Sequence, residues 1–221
     1  MSAVLQPSVR DLLALIEARL EALPDPKVDP IRRIRQDVSR KLIKAPARDV
    51  LSLALKLLVR GGWPYRCVAY ELVSHHKSAL RSLGQRDLER LGKNLDSWGA
   101  VDTFACYLSG PAWRDGQIPD ALVHQWARSP DRWWRRAALV STVPLSRSGH
   151  SRQTLRVCRI LASDHDDMVV KALSWALREL SKRDPEAVVD FLDRHSKVLA
   201  ARVVREVRNK LTSGLKSPRA R

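Results

Sequence analysis

Trp98 and Asp102 stand four residues apart, a spacing that places an aromatic ring and a carboxylate on one face of a helix. The chain around them carries 40 Lys and Arg against 24 Asp and Glu, a formal net charge of +16. An acid on such a surface repels a polyanion unless it has a task. One task fits its chemistry. Breaking an N-glycosidic bond builds oxocarbenium character at C1′ of the sugar, and a nearby carboxylate stabilises that charge and orients the attacking water. The competing reading makes Asp102 one half of a structural ion pair with a neighbouring arginine.

Arg136 and Trp175 follow Trp98 at intervals of 38 and 39 residues. Helical repeats of the HEAT type recur at similar periods, and residues one period apart occupy equivalent places on successive repeats. Trp98, Arg136 and Trp175 are therefore expected to line one concave surface. Five of the seven tryptophans (Trp98, Trp113, Trp126, Trp133 and Trp134) fall between Leu95 and Leu145, interleaved with Arg114, Arg128, Arg132, Arg135 and Arg136. Rings among arginines suit a surface that grips phosphates and packs on sugars, although any one of these tryptophans taken alone reads first as core. Trp133, Arg132 and Arg136 share a helix face, whereas the adjacent Arg135 points about 100° away. Arg132, Arg135 and Arg136 are the expected DNA contacts. Arg136→Ala is expected to weaken binding with little loss of stability, because the group is expected to be exposed.

Other chemistries lack their residues. No GxxxxGK[ST], GxGxxG or HExxH occurs, and no Ser/His/Asp set is recognisable. His75 and His76 are consecutive and diverge on a helix, a poor geometry for one metal. Asp164, Asp166 and Asp167 read as helix-capping residues at a positive helix end. No metal and no cofactor is expected. Cys67, Cys106 and Cys158 are an odd number without a CxxC pair, and read as thiols in a reducing cytoplasm.

The elements that must position these residues are all helical. The expected helices are 8–23, 30–43, 47–60, 65–76, 78–91, 96–108, 119–128, 130–142, 151–162, 166–182, 185–194 and 196–212, each with apolar residues at helical spacing. Ser8 with Asp11 forms a variant of the capping box, and Asp29-Pro30, Ser129-Pro130 and Asp184-Pro185 read as a cap followed by Pro in the first turn. Glycines cluster at expected breaks: Gly61-Gly62, Gly84, Gly110, Gly116 and Gly149. Many short helices with brief turns predict an all-α, HEAT-like helical-repeat solenoid: antiparallel helix pairs in a C-shaped stack with a basic concave face. The 221 residues divide into a single helical-repeat domain over 1–212 and a basic, disordered tail over 213–221. No stretch approaches the roughly 18–20 apolar residues of a membrane span, and MSAVLQPSVRDLLALIEARLEAL lacks the uncharged apolar core of a signal peptide.

SWGAVD, RWWRRAALV and KALSWALREL, in this order and spacing, resemble the DNA alkylation repair glycosylases of the AlkD type, which are built from HEAT-like repeats. The resemblance covers roughly residues 30–210 and is strongest from 94 to 182. It implies that Trp98 and Trp175 pack on the deoxyribose of a damaged nucleotide, that Asp102 stabilises the oxocarbenium-like sugar and positions water, and that Arg136 contacts phosphates near the lesion. It further implies N3- and N7-alkylated purines in duplex DNA as substrate, no base-flipping pocket, no cofactor, and a monomer in the bacterial cytoplasm, associated with the nucleoid. Gly99 departs from the family pattern, which often has Asp there. The alternatives are a noncatalytic binder of DNA or RNA structures with the same architecture, and a protein-interaction solenoid, which the charge disfavours.

Overall fold

The computed structural model describes residues 7–218, and every regular element within them is helical. Where the sequence reads as one domain over 1–212, the contacts group into two compact units, Met1–Lys93 and Asn94–Arg221.

The first unit comprises α1 (Val9–Glu21), α2 (Val28–Leu42), α3 (Ala47–Arg60), α4 (Trp63–Ser74), the short α5 (Lys77–Arg81) and α6 (Gln85–Leu91). Ser8 opens α1 with the expected capping box: its Oγ accepts from the Asp11 amide and the Asp11 carboxylate accepts from the Ser8 amide. Leu12, Ile16 and Leu20 then recur every fourth residue and are buried, as are Ile31, Ile34, Val38 and Leu42 on α2. The expected Asp29 cap lies inside α2, whose helix begins at Val28; Asp29 is an acid in the first turn, where the helix dipole favours it. Gly61 and Gly62, at φ 74° and 76°, break α3 from α4 in a conformation that side chains with a Cβ avoid. The single helix expected over 78–91 is two, because Gly84 is extended and the Asp87 carboxylate accepts its amide to start α6. α3 packs on α1 and α4 on α2, so alternate helices form two layers, as in a helical repeat.

The second unit comprises α7 (Trp98–Phe104), a π-helical turn (Ala105–Ser109), α8 (Gly110–Arg114), α9 (Asp120–Trp126), α10 (Arg132–Arg147), α11 (Ser151–Ile160), α12 (Asp167–Leu180), α13 (Pro185–Arg194) and α14 (Ala201–Ser213). α10 packs against α12, and α12 against α14, while α9 and α11 contact each other in a second layer against α10. Asp184 caps α13, with Pro185 in its first turn, so those bounds fall where the sequence puts them. Asp166 accepts the Met168 and Val169 amides at the start of α12, the capping role expected of it. α10 differs from its expectation at both ends. Asp131, not Ser129, caps it by accepting the Trp133 amide, and the helix runs through Pro144 to Arg147. Every residue from Arg136 to Ser146 is buried, so tertiary packing holds the helix past a residue that would end an isolated one.

Gly110 is not a break, contrary to its reading. Its amide donates to Ala105 O, five residues back, closing the π turn that joins α7 to α8. A Cβ on Gly110 would lie 2.8 Å from Ala105 O, from Ser141 O and from Pro144 Cγ. Glycine is there for close approach to α10, and the adjacent Ser109 and Ser141 hydroxyls bond across the contact at 2.7 Å. Of the tail expected over 213–221, Ser213 ends α14, residues 214–218 follow it, and 219–221 lie outside the described residues. Among the described residues no helix is long and apolar enough to cross a membrane.

Candidate active site

Trp98 is the first residue of α7 and is 62% exposed, an unusual state for a large aromatic side chain. Asp102 follows one turn later on the same helix. What holds α7 in place is the aromatic cluster beneath it: Phe104, Trp126 and Trp134 pack with ring centroids 5.0–6.3 Å apart. Trp113 is buried as well, and its Nε1 donates to Asp120. The interleaved tryptophans therefore divide. Trp113 and Trp126 are core, Trp134 is half-buried in the cluster, and Trp98 alone among the five stands mostly in solvent.

Arg136, from α10, donates to both oxygens of Asp102: Nε to Oδ1 and Nη2 to Oδ2, each at 2.9 Å. Its remaining nitrogen, Nη1, donates to Met168 O in the first turn of α12 at 2.6 Å. One guanidinium thus ties α7, α10 and α12 together. Arg136 is 5% exposed, which overturns the expectation that the group is exposed. The reason is electrostatic: a planar fork matches a carboxylate bidentately, and in a site of reduced dielectric that pairing outweighs a position in solvent. The ion pair that the sequence offered as the competing reading of Asp102 exists.

Asp102 nevertheless keeps 20% of its side chain exposed. Burial pushes its carboxyl above the ordinary value of 3.8, and the Arg136 hydrogen bond and charge offset only part of that rise. The result is a carboxylate pinned in one orientation with part of its surface open, one helical turn from the exposed Trp98. Cys106, one turn further on, read in the sequence only as a thiol, with nothing to place it beside Asp102. Burial pushes its thiol up to about 12, and the Asp102 charge pushes the same way, so it faces the carboxylate as a neutral, unreactive group.

Trp175 lies on α12 and is half-buried. Arg135 is committed elsewhere: its Nε donates to Asp164 at 2.7 Å and its Nη1 to the carbonyls of Ser129 and Pro130, bracing the turn before α10. Arg132 sits over the Trp133 ring at 4.9 Å and 3.5 Å from Asp166, with half of its side chain exposed. Of the three arginines expected to touch DNA, Arg132 is the one largely presented to solvent. Arg147 at the end of α10, more exposed still, carried no signal in the sequence; it pairs with Glu179 of α12. No group of three or more His, Cys, Asp or Glu side chains is placed to share a metal ion among the described residues.

The Asp102–Arg136 pair has counterparts. Arg147 of α10 reaches Glu179 of α12, Arg178 of α12 lies 3.9 Å from Glu206 of α14, and in the first unit Arg35 of α2 reaches Glu71 of α4. Within the second unit, Asp102–Arg136, 34 residues apart, is the first of these rungs. Their rung differs in having an exposed tryptophan one turn ahead of the acid.

A predicted DNA alkylation repair enzyme from Enterococcus faecalis shares the fold, with a TM-score of 0.68 over 96% of this chain and 99% of that one, at 14% sequence identity. No curated protein sequence matches the chain. The model of the family described as DNA alkylation repair enzyme matches residues 27–211, most of the chain, and the protein belongs to that family.

Proposed function

We propose that the protein is a DNA glycosylase that hydrolyses the N-glycosidic bond of N3- and N7-alkylated purines in duplex DNA, with no pocket for the extruded base. The observation that carries this reading is an exposed Trp98 one turn ahead of a carboxylate, Asp102, that Arg136 fixes in place while leaving it partly open.

In this mechanism Trp98 packs on the deoxyribose, with Trp175 as the second ring, and holds C1′ beside Asp102. The C1′–N bond breaks heterolytically. Its electron pair leaves with the alkylated purine and neutralises the positive charge the base already carries, so no general acid is needed. Positive charge develops at C1′ and O4′ and is stabilised by the fixed carboxylate. Water oriented by Asp102 adds to C1′ and loses its proton to solvent. Because Arg136 fixes the carboxylate beforehand, no reorganisation is needed as the charge develops.

The test is release of free base from DNA methylated at purine N3 and N7. Asp102→Asn keeps the side-chain shape but takes the counter-charge from the buried Arg136, so its melting temperature is measured beside the rate. The expected result is a loss of about 10²- to 10³-fold in single-turnover rate, with affinity for the duplex equal or slightly better. Full-rate release from folded Asp102→Asn refutes the proposal.

One observation favours a second reading, a noncatalytic DNA binder. The carboxylate–arginine pairing recurs at rungs without an exposed tryptophan, so architecture alone accounts for the Asp102–Arg136 pair. On that reading the wild-type protein binds methylated duplex with a steep salt dependence, near −0.9 in log K against log[salt] per phosphate neutralised, and releases no base.

A further inference from the structure

We propose that the first unit carries a separate binding site for a nucleoside phosphate, in the cavity between the C-terminal half of α2, the end of α4, and α5. Its volume is about 940 Å³, within the range of roughly 300–1,000 Å³ typical of small-molecule sites.

The lining is cationic on one side and apolar on the other. Lys77 and Arg81 stand one turn apart on α5, both exposed, and neither forms an ion pair among the described residues. Arg35 adds a third cation; only its Nε is engaged, by Glu71 at 3.1 Å. No carboxylate lines the cavity among the described residues. Leu42, Leu72 and Ile43 form the apolar wall, and Ile43 is 76% exposed, an isoleucine left in water at the rim. Ser39 Oγ, at the same wall, is shielded from solvent and has no hydrogen-bond partner among the described residues. A buried hydroxyl without a partner is uncommon and costs stability.

Helix ends would ordinarily oppose an anion here, because α2 and α4 both point their C-termini, and so their unpaired carbonyls, toward this region. An imidazole bonds one carbonyl at each of these ends. His76 Nε2 lies 3.1 Å from Leu42 O at the end of α2, and His75 Nδ1 lies 2.8 Å from Glu71 O near the end of α4. The charged side chains that line the cavity are all cationic: Lys77, Arg81, Arg35 and Arg40, the last paired with Asp37. A phosphate monoester takes that side as a charge-assisted acceptor, and a planar base or sugar covers the leucine and isoleucine wall. Two sources present this chemistry: a free mononucleotide, and the 5′-phosphorylated end of a DNA strand.

The test is calorimetric titration of the full chain with adenosine 5′-monophosphate, adenosine and inorganic phosphate. The monophosphate is expected to bind at least about tenfold more tightly than either fragment, and the Lys77→Ala/Arg81→Ala double variant to lose at least about tenfold in that affinity. Both residues are exposed, so the helical circular dichroism is expected to stay unchanged. Competition for the monophosphate by a 5′-phosphorylated duplex, but not by its unphosphorylated counterpart, identifies a strand end as the source; no competition by either supports a free nucleotide. No binding of the monophosphate at millimolar concentration overturns the proposal, as does adenosine binding equally well or a double variant that binds as the wild type does. Binding is read directly, so failure here leaves base release at Asp102 untouched, and the reverse holds.

Discussion

Arg136 holds both oxygens of Asp102 at 2.9 Å and spends its last nitrogen on Met168 O, so a single buried side chain fixes the orientation of a partly open carboxylate. Its burial reverses the expectation that Arg136→Ala leaves stability intact. Removal strands Asp102 half-buried without a partner and frees the first turn of α12. The expected cost is on the order of 3 kcal/mol, or a fall in Tm of roughly 6–12 °C for a chain of this size. Arg136→Lys, with a point charge in place of a fork, recovers only part of it. Calorimetric Tm values unchanged in both variants would show that the pair is dispensable.

Gly110→Ala tests the π turn. At φ −64° the residue is helical, so alanine would ordinarily stabilise it. Here the added methyl meets Ala105 O, Ser141 O and Pro144 Cγ at 2.8 Å, and two of these are backbone atoms that a rotamer change cannot move. The expected result is destabilisation of about 1–3 kcal/mol in urea unfolding, with slower base release, because the turn sets the distance between α7 and α10. A more stable alanine variant would mean the contact relaxes freely.

The pH dependence follows from the raised carboxyl of Asp102, with burial the larger cause. The native protein keeps this proton to higher pH than the unfolded chain does. The group's contribution to stability therefore declines as pH rises from 3.8 through the raised folded-state value. Base release needs the anion and runs the other way, rising over the same interval. The single-turnover rate is expected to show an acid limb with its midpoint above 3.8, absent in Asp102→Asn. A midpoint at or below 3.8 contradicts the geometry.

The cysteines are expected to be inert. Burial, chiefly, pushes Cys67 up to about 11 and Cys106 up to about 12, and raises Cys158 as well. Iodoacetamide near neutral pH is expected to leave the native protein unlabelled over a time in which the unfolded chain is alkylated at all three positions, read by intact mass. Rapid labelling of Cys106 alone would show that the wall beside Asp102 opens.

What the sequence made legible was local. Asp184-Pro185 set the start of α13 because cap and first turn lie within four residues of each other. Ser8 with Asp11 marked the start of α1 because a capping box needs only one turn of chain to express it. Trp98 and Asp102 could be paired for the same reason. What stayed hidden depends on residues far apart in the chain. Pro144 reads as a stop, yet α10 passes through it because packing on α8 and α12 compensates. Arg136 reads as a surface cation until α7 and α12 close around it. The 38- and 39-residue intervals carried the right helices but not the direction of each side chain: Trp98 faces solvent, Arg136 faces Asp102, and Trp175 lies half-buried between.

The rungs of acid and arginine have a thermodynamic corollary. Each joins a helix to the next one in its layer: Asp102–Arg136 joins α7 to α10, Arg147–Glu179 joins α10 to α12, and Arg178–Glu206, at 3.9 Å, joins α12 to α14. Energy in such a stack is shared between nearest neighbours. Substitutions at Asp102 and Arg136 are therefore strongly non-additive, because each leaves the other without its counter-charge, whereas Asp102 and Glu206, two interfaces apart, perturb the protein independently. Evolution can retune one interface of such a chain, its ion pairs included, without renegotiating the others.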